Sequence, residues 1–455
     1  MPTVNNALDR VMTRVSQSIA LIPVVISLAM LLLCLFMVSV DFSPAADWLE
    51  RHLGIVVVSD ADNARTILSA LVGGVISLAV FSFSMVMVVL TRASATLSPR
   101  VIPGLVTKKQ HQVCLGVYLG TIIYSLLLIA SIHSEAGADA VPGLAVMIAI
   151  TFGIACLVLF VNFIHSITRS IQVDHIVESI FLETRRNLRR RVASIREDMA
   201  RGDCSPPDTE QWAAVHSGHT GYFKRVIGGE LLRQLEAEDL VLVTLVQRGE
   251  FVAKGRPLFR LSRELDDDRQ GKLLDCFDYY IEDFADDHFL FGFKLLSEIA
   301  VKALSPGIND PGTAMRVLDM LSMLLVEYAQ HPGFDGERSE DGTVRVYYFE
   351  PDFSRVLYDC LTPIRQYAMD DVMVLARLLD ACANVAYAGI DDGKRAALTR
   401  YVEDFVAALR VDGFSELDIE QLNRMIELYA GASGQQVDAV VAALHREPVG
   451  APVLK

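Results

Sequence analysis

Four stretches of this chain, residues 19–40, 67–90, 113–132 and 142–163, contain no Lys, Arg, Asp or Glu, and each is 20 to 24 residues long. At about 1.5 Å per helical residue, each can cross the ~30 Å hydrocarbon core of a bilayer. A backbone in hydrocarbon has to satisfy its own N–H and C=O groups, which a helix does within one segment. The pattern predicts four transmembrane helices within a domain covering residues 1–167. The first stretch exceeds the apolar region of a cleaved leader and lacks a small-x-small site after it, so it is expected to remain as an anchor.

The loops predict an orientation. Residues 91–112 carry Arg92, Arg100, Lys108 and Lys109 and no acid. Residues 41–66 carry Asp41, Asp47, Glu50, Asp60 and Asp62 against Arg51 and Arg65, and the loop at 133–141 holds only Glu135 and Asp139. Arg169 and a dense run from Arg185 to Arg196 follow the fourth stretch. The excess of cations on one side places both termini in the cytoplasm. A net charge of −15 argues against nucleic acid as a partner. None of the seven cysteines forms a C-x-x-C pair, so no zinc site or disulfide framework is expected.

The second span carries Ser69, Gly73, Ser77 and Ser84 as a small-residue stripe at spacings of four, four and seven. Two readings stand. Small residues let helix backbones approach closely in lipid, or hydroxyls line a water-accessible path. In the second reading Ser69, Gly73, Ser77 and Ser84 line a pore and Arg92 and Arg100 stand at its cytosolic mouth. Gly116 and Gly120 of the third span form a G-x-x-x-G, read as a packing face. The spans hold no acid or base except His165 near a cytosolic end, which weighs against a proton-driven pump.

Residues 168–201 read as an amphipathic cytosolic extension of the fourth helix, with Ile180, Leu188, Val192 and Ile195 on the apolar face. Its arginines, Arg185 to Arg191, either touch anionic lipid head groups or form a solvated face balanced by Glu178, Glu183 and Glu197. Residues 205–263 hold short apolar runs broken by glycine and read as a small β domain. Gly249-x-Phe251-Val252-x-x-Gly255-x-Pro257-Leu258 resembles the hammerhead, or barrel-sandwich, fold of biotinyl and lipoyl domains, though no hairpin lysine suits a carried cofactor. Residues 264–445 read as an α-helical domain with helices at 267–285, 288–304, 311–330, 353–368, 371–388, 393–410 and 416–430, and 446–455 as a flexible tail.

The string ALSPGINDPGTA at 303–314 reads as helix stop, turn and helix start. Pro306 ends one helix, Gly307 is the expected left-handed cap, Asp310 is the expected N-cap and Pro311 takes the first helical position. Asn309 either bonds its own turn or presents an amide near the next helix N-terminus. Pro306, Asn309, Asp310 and Pro311 are therefore candidates for a conformational or ligand loop. No G-K-[ST], G-x-S-x-G or H-E-x-x-H is present, so no catalytic residue, metal ligand or cofactor is expected.

Four spans, Ser98-Pro99-Arg100 after the second and the 303–314 string together resemble the predicted membrane proteins of domain-of-unknown-function family 2254, over roughly residues 10 to 430. The resemblance implies a bacterial inner-membrane protein with a cytosolic C-terminal region, and no activity. The sequence favours a homo-oligomeric channel, passing small ions such as anions, with a large cytosolic scaffold. The alternative is a membrane-anchored sensor or scaffold that binds a ligand or protein; an enzyme ranks below both.

Overall fold

The computed structural model describes residues 21–41, 58, 60–96, 109–132, 141–170, 173–200, 207–226, 228–280, 289–331, 335–410 and 413–434. The chain divides into two compact units, residues 1–175 and 176–455.

The first unit contains four helices long and apolar enough to cross a membrane: α1 (Leu21–Asp41), α2 (Ala61–Thr96), α3 (Lys109–Ser131) and α4 (Gly143–Ser170). Helix α3 is the central one. It buries Cys114, Tyr118, Thr121, Ser125 and Leu128 on one face and Gly116, Gly120 and Tyr124 on another. The glycine face packs on α1: a Cβ at Gly116 would lie 3.0 Å from the Pro23 Cα, and one at Gly120 would lie 3.1 Å from the Met30 Cγ. The G-x-x-x-G is therefore a packing face, as small residues in lipid commonly are.

Polar ends tie these helices together. The Asp41 carboxylate at the end of α1 accepts hydrogen bonds from the N–H groups of Leu144 (3.3 Å) and Ala145 (2.8 Å), orphan donors at the start of α4. Asp41 thus caps a helix 100 residues away while countering its dipole. Asp41→Ala is expected to lower the stability of this unit by about 1 kcal/mol, and Asp41→Asn by less, as read from the thermal midpoint in detergent.

The amphipathic α5 (Val173–Ala200) belongs to the second unit from Ile176 onward. A mixed region follows: β1 (Ala213–His216), β2 (Gly221–Val226), α6 (Gly228–Ala237), β3 (Leu242–Thr244), β4 (Phe251–Val252), β5 (Pro257–Leu261), α7 (Asp267–Leu274) and β6 (Phe277–Tyr280). Then come α8 (Phe289–Ala303), α9 (Pro311–Tyr328), β7 (Asp335–Arg338), β8 (Val344–Tyr348), α10 (Phe353–Tyr367), α11 (Val372–Tyr387), α12 (Asp392–Ala407) and α13 (Glu416–Ser433).

The strands form a five-stranded sheet, β1-β5-β3-β8-β7, and a three-stranded sheet, β4-β2-β6. They share a core in which Val215, Phe223, Leu242, Val252, Phe259, Phe277 and Val346 are buried, with Phe259 and Phe277 stacked at 4.8 Å. Among the described residues no closed barrel forms, which corrects the hammerhead expectation. Strand β3 pairs in parallel with β8, and β6, β7 and β8 all come from beyond residue 263. The expected helix at 267–285 is also corrected. Helix α7 stops at Leu274, and Phe277–Tyr280 pairs with β2 because its aromatic residues complete the sheet core.

The helical array that follows is locally specified. Asp310, Asp352, Asp371, Asp391 and Ser415 each accept a backbone N–H at a helix start, and Ser415 with Asp418 forms a reciprocal capping box. These starts fall within one residue of where sequence places them.

Candidate functional site

Helix α2 holds its core face to the bundle with Ala64, Leu68, Val75, Ser82 and Val89, all 6% exposed or less. At 3.6 residues per turn, the ridge opposite that face is Thr66, Gly73, Ser77, Ser84 and Thr91, and all five are exposed. Three of the four stripe residues, Gly73, Ser77 and Ser84, therefore sit on the outermost line of the helix. Ser69 is also exposed but stands about 60° round from it. A Cβ added at Gly73 or Gly74 meets nothing within 4 Å.

The outward faces of α1 and α4 differ in kind. Helix α1 exposes Val24, Leu28, Leu32, Leu35 and Phe36, and α4 exposes Ile154, Leu157, Val158 and Val161. Bulky apolar chains of that sort suit lipid. The α2 ridge is made of glycine and hydroxyls, flanked by Ile76, Val80 and Val88. Three of its hydroxyls are satisfied within the helix: Thr66, Ser77 and Thr91 donate to the carbonyls four residues back at 2.7, 2.9 and 2.9 Å. Arg92 follows the ridge and is exposed; Arg100 lies outside the described residues.

The 303–314 string folds as a closed corner. Asp310 N–H donates to the Ala303 carbonyl (2.8 Å) and Asn309 N–H to that of Ser305 (3.0 Å). The Asp310 carboxylate accepts from Thr313 N–H (3.1 Å) and Thr313 Oγ1 (2.7 Å), and Pro311 opens α9. The left-handed residue is Asn309, with φ of 50°, and Gly307 is not left-handed, which corrects the cap assignment. Asn tolerates this region because its short polar side chain compensates the Cβ clash better than others do. Pro306, Asn309 and Asp310 are exposed and Pro311 is half-buried.

The arginines of α5 are divided between roles that sequence alone could not separate. Arg185 Nε donates to Glu327 Oε1 of α9 at 2.6 Å, and Arg189 donates to both oxygens of the same carboxylate at 2.7 and 3.0 Å. Glu327 raises the pKa of Arg189. Arg196 donates to Gln330 (3.3 Å), and Glu178 lies 3.9 Å from Arg316. Arg186 and Arg190 remain exposed. Arg191 enters a cluster with Arg248, Tyr348, Glu337 and Glu350, and burial, then Arg248, pushes its pKa down. Arg248 sits 4.7 Å above the Tyr348 ring, whose hydroxyl donates to Glu337 at 2.7 Å.

Helix α5 is thus bound along its length to the helical array and the sheet. Glu327→Gln removes the charge that two guanidinium groups share, and is expected to cost about 1–2 kcal/mol. The loss should shrink in high salt, which a denaturation series at rising ionic strength reads directly.

His216 at the end of β1 and His219 in the bend before β2 are both exposed. Among the described residues, no three His, Cys, Asp or Glu side chains gather as a metal site would. The buried polar residues of α3 were visible in sequence only as an interruption of apolar character.

Comparison with known proteins agrees with this architecture. The model of a family described as "Predicted membrane protein (DUF2254)" matches residues 16–384. Uncharacterized proteins of Mycobacterium bovis and Mycobacterium tuberculosis are each 24% identical over 367 residues, covering 78% of this chain and 70% of theirs. No solved structure matches the chain. With four helices long and apolar enough to cross a membrane, a mixed and helical second unit, and a family match over most of its length, the chain belongs to the DUF2254 family of predicted membrane proteins.

Proposed function

We propose that the protein is a bacterial inner-membrane protein that assembles with copies of itself around α2 and forms a channel or pore. Both termini and the second unit lie in the cytoplasm, where the large unit serves as a scaffold. The observation that carries this reading is the contrast between outward faces. A lone protomer gains nothing by turning its glycine and hydroxyl ridge to lipid while α1 and α4 present valine, leucine and phenylalanine. Copies of α2 packed on this ridge give it a partner, and a ring of such helices supplies hydroxyls to an axial path. Arg92, exposed beyond the ridge and repeated around the ring, favours anions.

One observation favours the second reading, a membrane-anchored sensor or scaffold. The back-bonded hydroxyls of Thr66, Ser77 and Thr91 need no water and suit a dry helix interface. Single-channel recording of the purified protein in liposomes separates the two. Currents that change with Ser77→Ala and Ser84→Ala support the pore. Silence across voltage, tension and ionic conditions, with the oligomer intact, leaves the scaffold.

A further inference from the structure

Helices α8 to α13 stack in two layers, α8, α10 and α12 in one and α9, α11 and α13 in the other. Helix α5 covers the first end of this array. It meets α8 where Thr184 faces Gly292, and α9 through Glu327 and Gln330. The last helix, α13, is less fully used. It buries Leu422, Ile426, Tyr429 and Ala430 on its inner side. The ridge opposite them, Leu417, Glu420, Arg424, Glu427 and Gly431, is exposed throughout. Leu417 is 74% exposed, more than any other large hydrophobic side chain among the described residues.

The outward ridge of α5 has a matching character. Opposite the buried Phe181, Leu188 and Val192 stand Leu182, Arg186 and Arg190, all exposed. Arg186 and Arg190 form no ion pair among the described residues, and neither do Glu420 and Glu427 of α13. Each ridge also carries the minority sign: Glu183 and Glu197 flank the α5 arginines, and Arg424 separates the α13 glutamates. The wider charge is polarised in the same sense. Residues 289–434 hold 23 Asp and Glu against 13 Lys and Arg, whereas residues 176–263 hold 12 against 15. An acidic surface with an exposed leucine thus lies at one end of the array, and a cationic one with an exposed leucine at the other. Two such surfaces on one chain cannot reach each other, but those on two copies can.

We propose that the α13 ridge of one copy receives the outward α5 ridge of the next. Leu182 and Leu417 then leave water together, and Arg186 and Arg190 stand against Glu420 and Glu427. Each α5 serves its own array with one face and a neighbour's with the other, so the stack continues from copy to copy. Because two different surfaces meet, the contact is head-to-tail and closes as a ring. It rests on the self-association proposed above, although not on a pore. Two helix ridges are a small interface, and copies already held side by side in a membrane meet at a raised effective concentration.

The test uses two versions of the full-length protein, Leu182→Cys and Leu417→Cys, each also carrying Cys204→Ser. The other six native cysteines are buried. The two are reconstituted together in liposomes and treated with a short bismaleimide, while single-molecule photobleaching counts the copies per assembly. The expected result is cross-linked pairs containing one of each version, several-fold above either version alone. Arg186→Glu with Arg190→Glu in the first version should cut that yield about tenfold, because like charges then face each other. Glu420→Arg with Glu427→Arg in the second should restore it. An assembly of normal size that gives no mixed pair leaves the α13 ridge to a different partner; the proposal is then overturned while assembly through α2 stands. Cross-links that ignore the charge reversals, or that join only identical versions, overturn it as well. A protein that stays monomeric in the bilayer removes both readings.

Discussion

Gly73→Leu is expected to leave the protomer folded and to abolish its assembly. The reason lies in the space around each glycine of the spans. A Cβ at Gly73 meets nothing within 4 Å, so a larger side chain projects freely from the α2 ridge. Glycine to leucine in a helix interior even improves local propensity by about 0.5–1 kcal/mol. If copies of α2 meet on that ridge, however, the leucine holds their backbones apart and removes the close approach that drives helix association in lipid. Gly120→Leu is the contrasting case: a Cβ there lies 3.1 Å from Met30 Cγ and 3.2 Å from its Cβ, so the variant should disrupt the bundle itself. Light scattering or native mass spectrometry in detergent reads the first effect, and thermal unfolding reads the second. A Gly73→Leu protein that remains oligomeric would remove α2 from the interface and with it the proposed axial path.

Gly292→Ala should destabilise the second unit by about 1–3 kcal/mol, an unusually large effect for one methyl group. Gly292 of α8 faces Thr184 of α5, and an added Cβ would lie 2.7 Å from the Thr184 Cβ and 2.8 Å from its Cγ2. Ordinary contact needs roughly another ångström. Thr184 has little freedom to yield: it is 3% exposed, and its hydroxyl donates to the Ile180 carbonyl at 2.7 Å. The two helices must therefore separate, which also strains the Arg185 and Arg189 bonds to Glu327. Combining Gly292→Ala with Thr184→Gly should recover most of the loss, less about 1 kcal/mol for a glycine within α5. Chemical denaturation of the single and double variants checks the compensation. Additive losses would mean that α5 and α8 do not meet through this pair.

Several elements were legible because their causes are local. The spans follow from runs without charge, and the helix starts at Asp310, Asp371, Asp391 and Ser415 from caps a few residues long. The G-x-x-x-G of α3 declared its packing role, since glycine's main use within a span is close approach. The corner at 303–314 was mostly readable too. There the error was one of choice between two residues able to adopt positive φ: the turn's backbone bonds to Ala303 and Ser305 put Asn309 in the left-handed position.

What stayed hidden depended on partners distant in sequence. No local signal assigns Arg185 and Arg189 to Glu327, more than 130 residues away, in preference to lipid or solvent. The parallel pairing of β3 with β8 joins segments a hundred residues apart, and this opens the sheet that a hammerhead would have closed. Phe277–Tyr280 looked helical until β2 supplied a ladder for it. The α2 stripe was visible as a stripe, but its direction was not.

By itself the sequence determined that this chain has four helices long and apolar enough to cross a membrane, where most of its helices start, and that its α3 glycines pack closely. Those outcomes sum per-residue transfer and capping energies over short windows, so no fold is needed to read them. Only the tertiary structure decided that the glycine and hydroxyl ridge of α2 points away from the bundle, that Ser82, Tyr118 and Ser125 are enclosed within it, and that α5 is held by Glu327. Each of these depends on which surfaces meet, and a helix carries the same residues whichever face it turns inward.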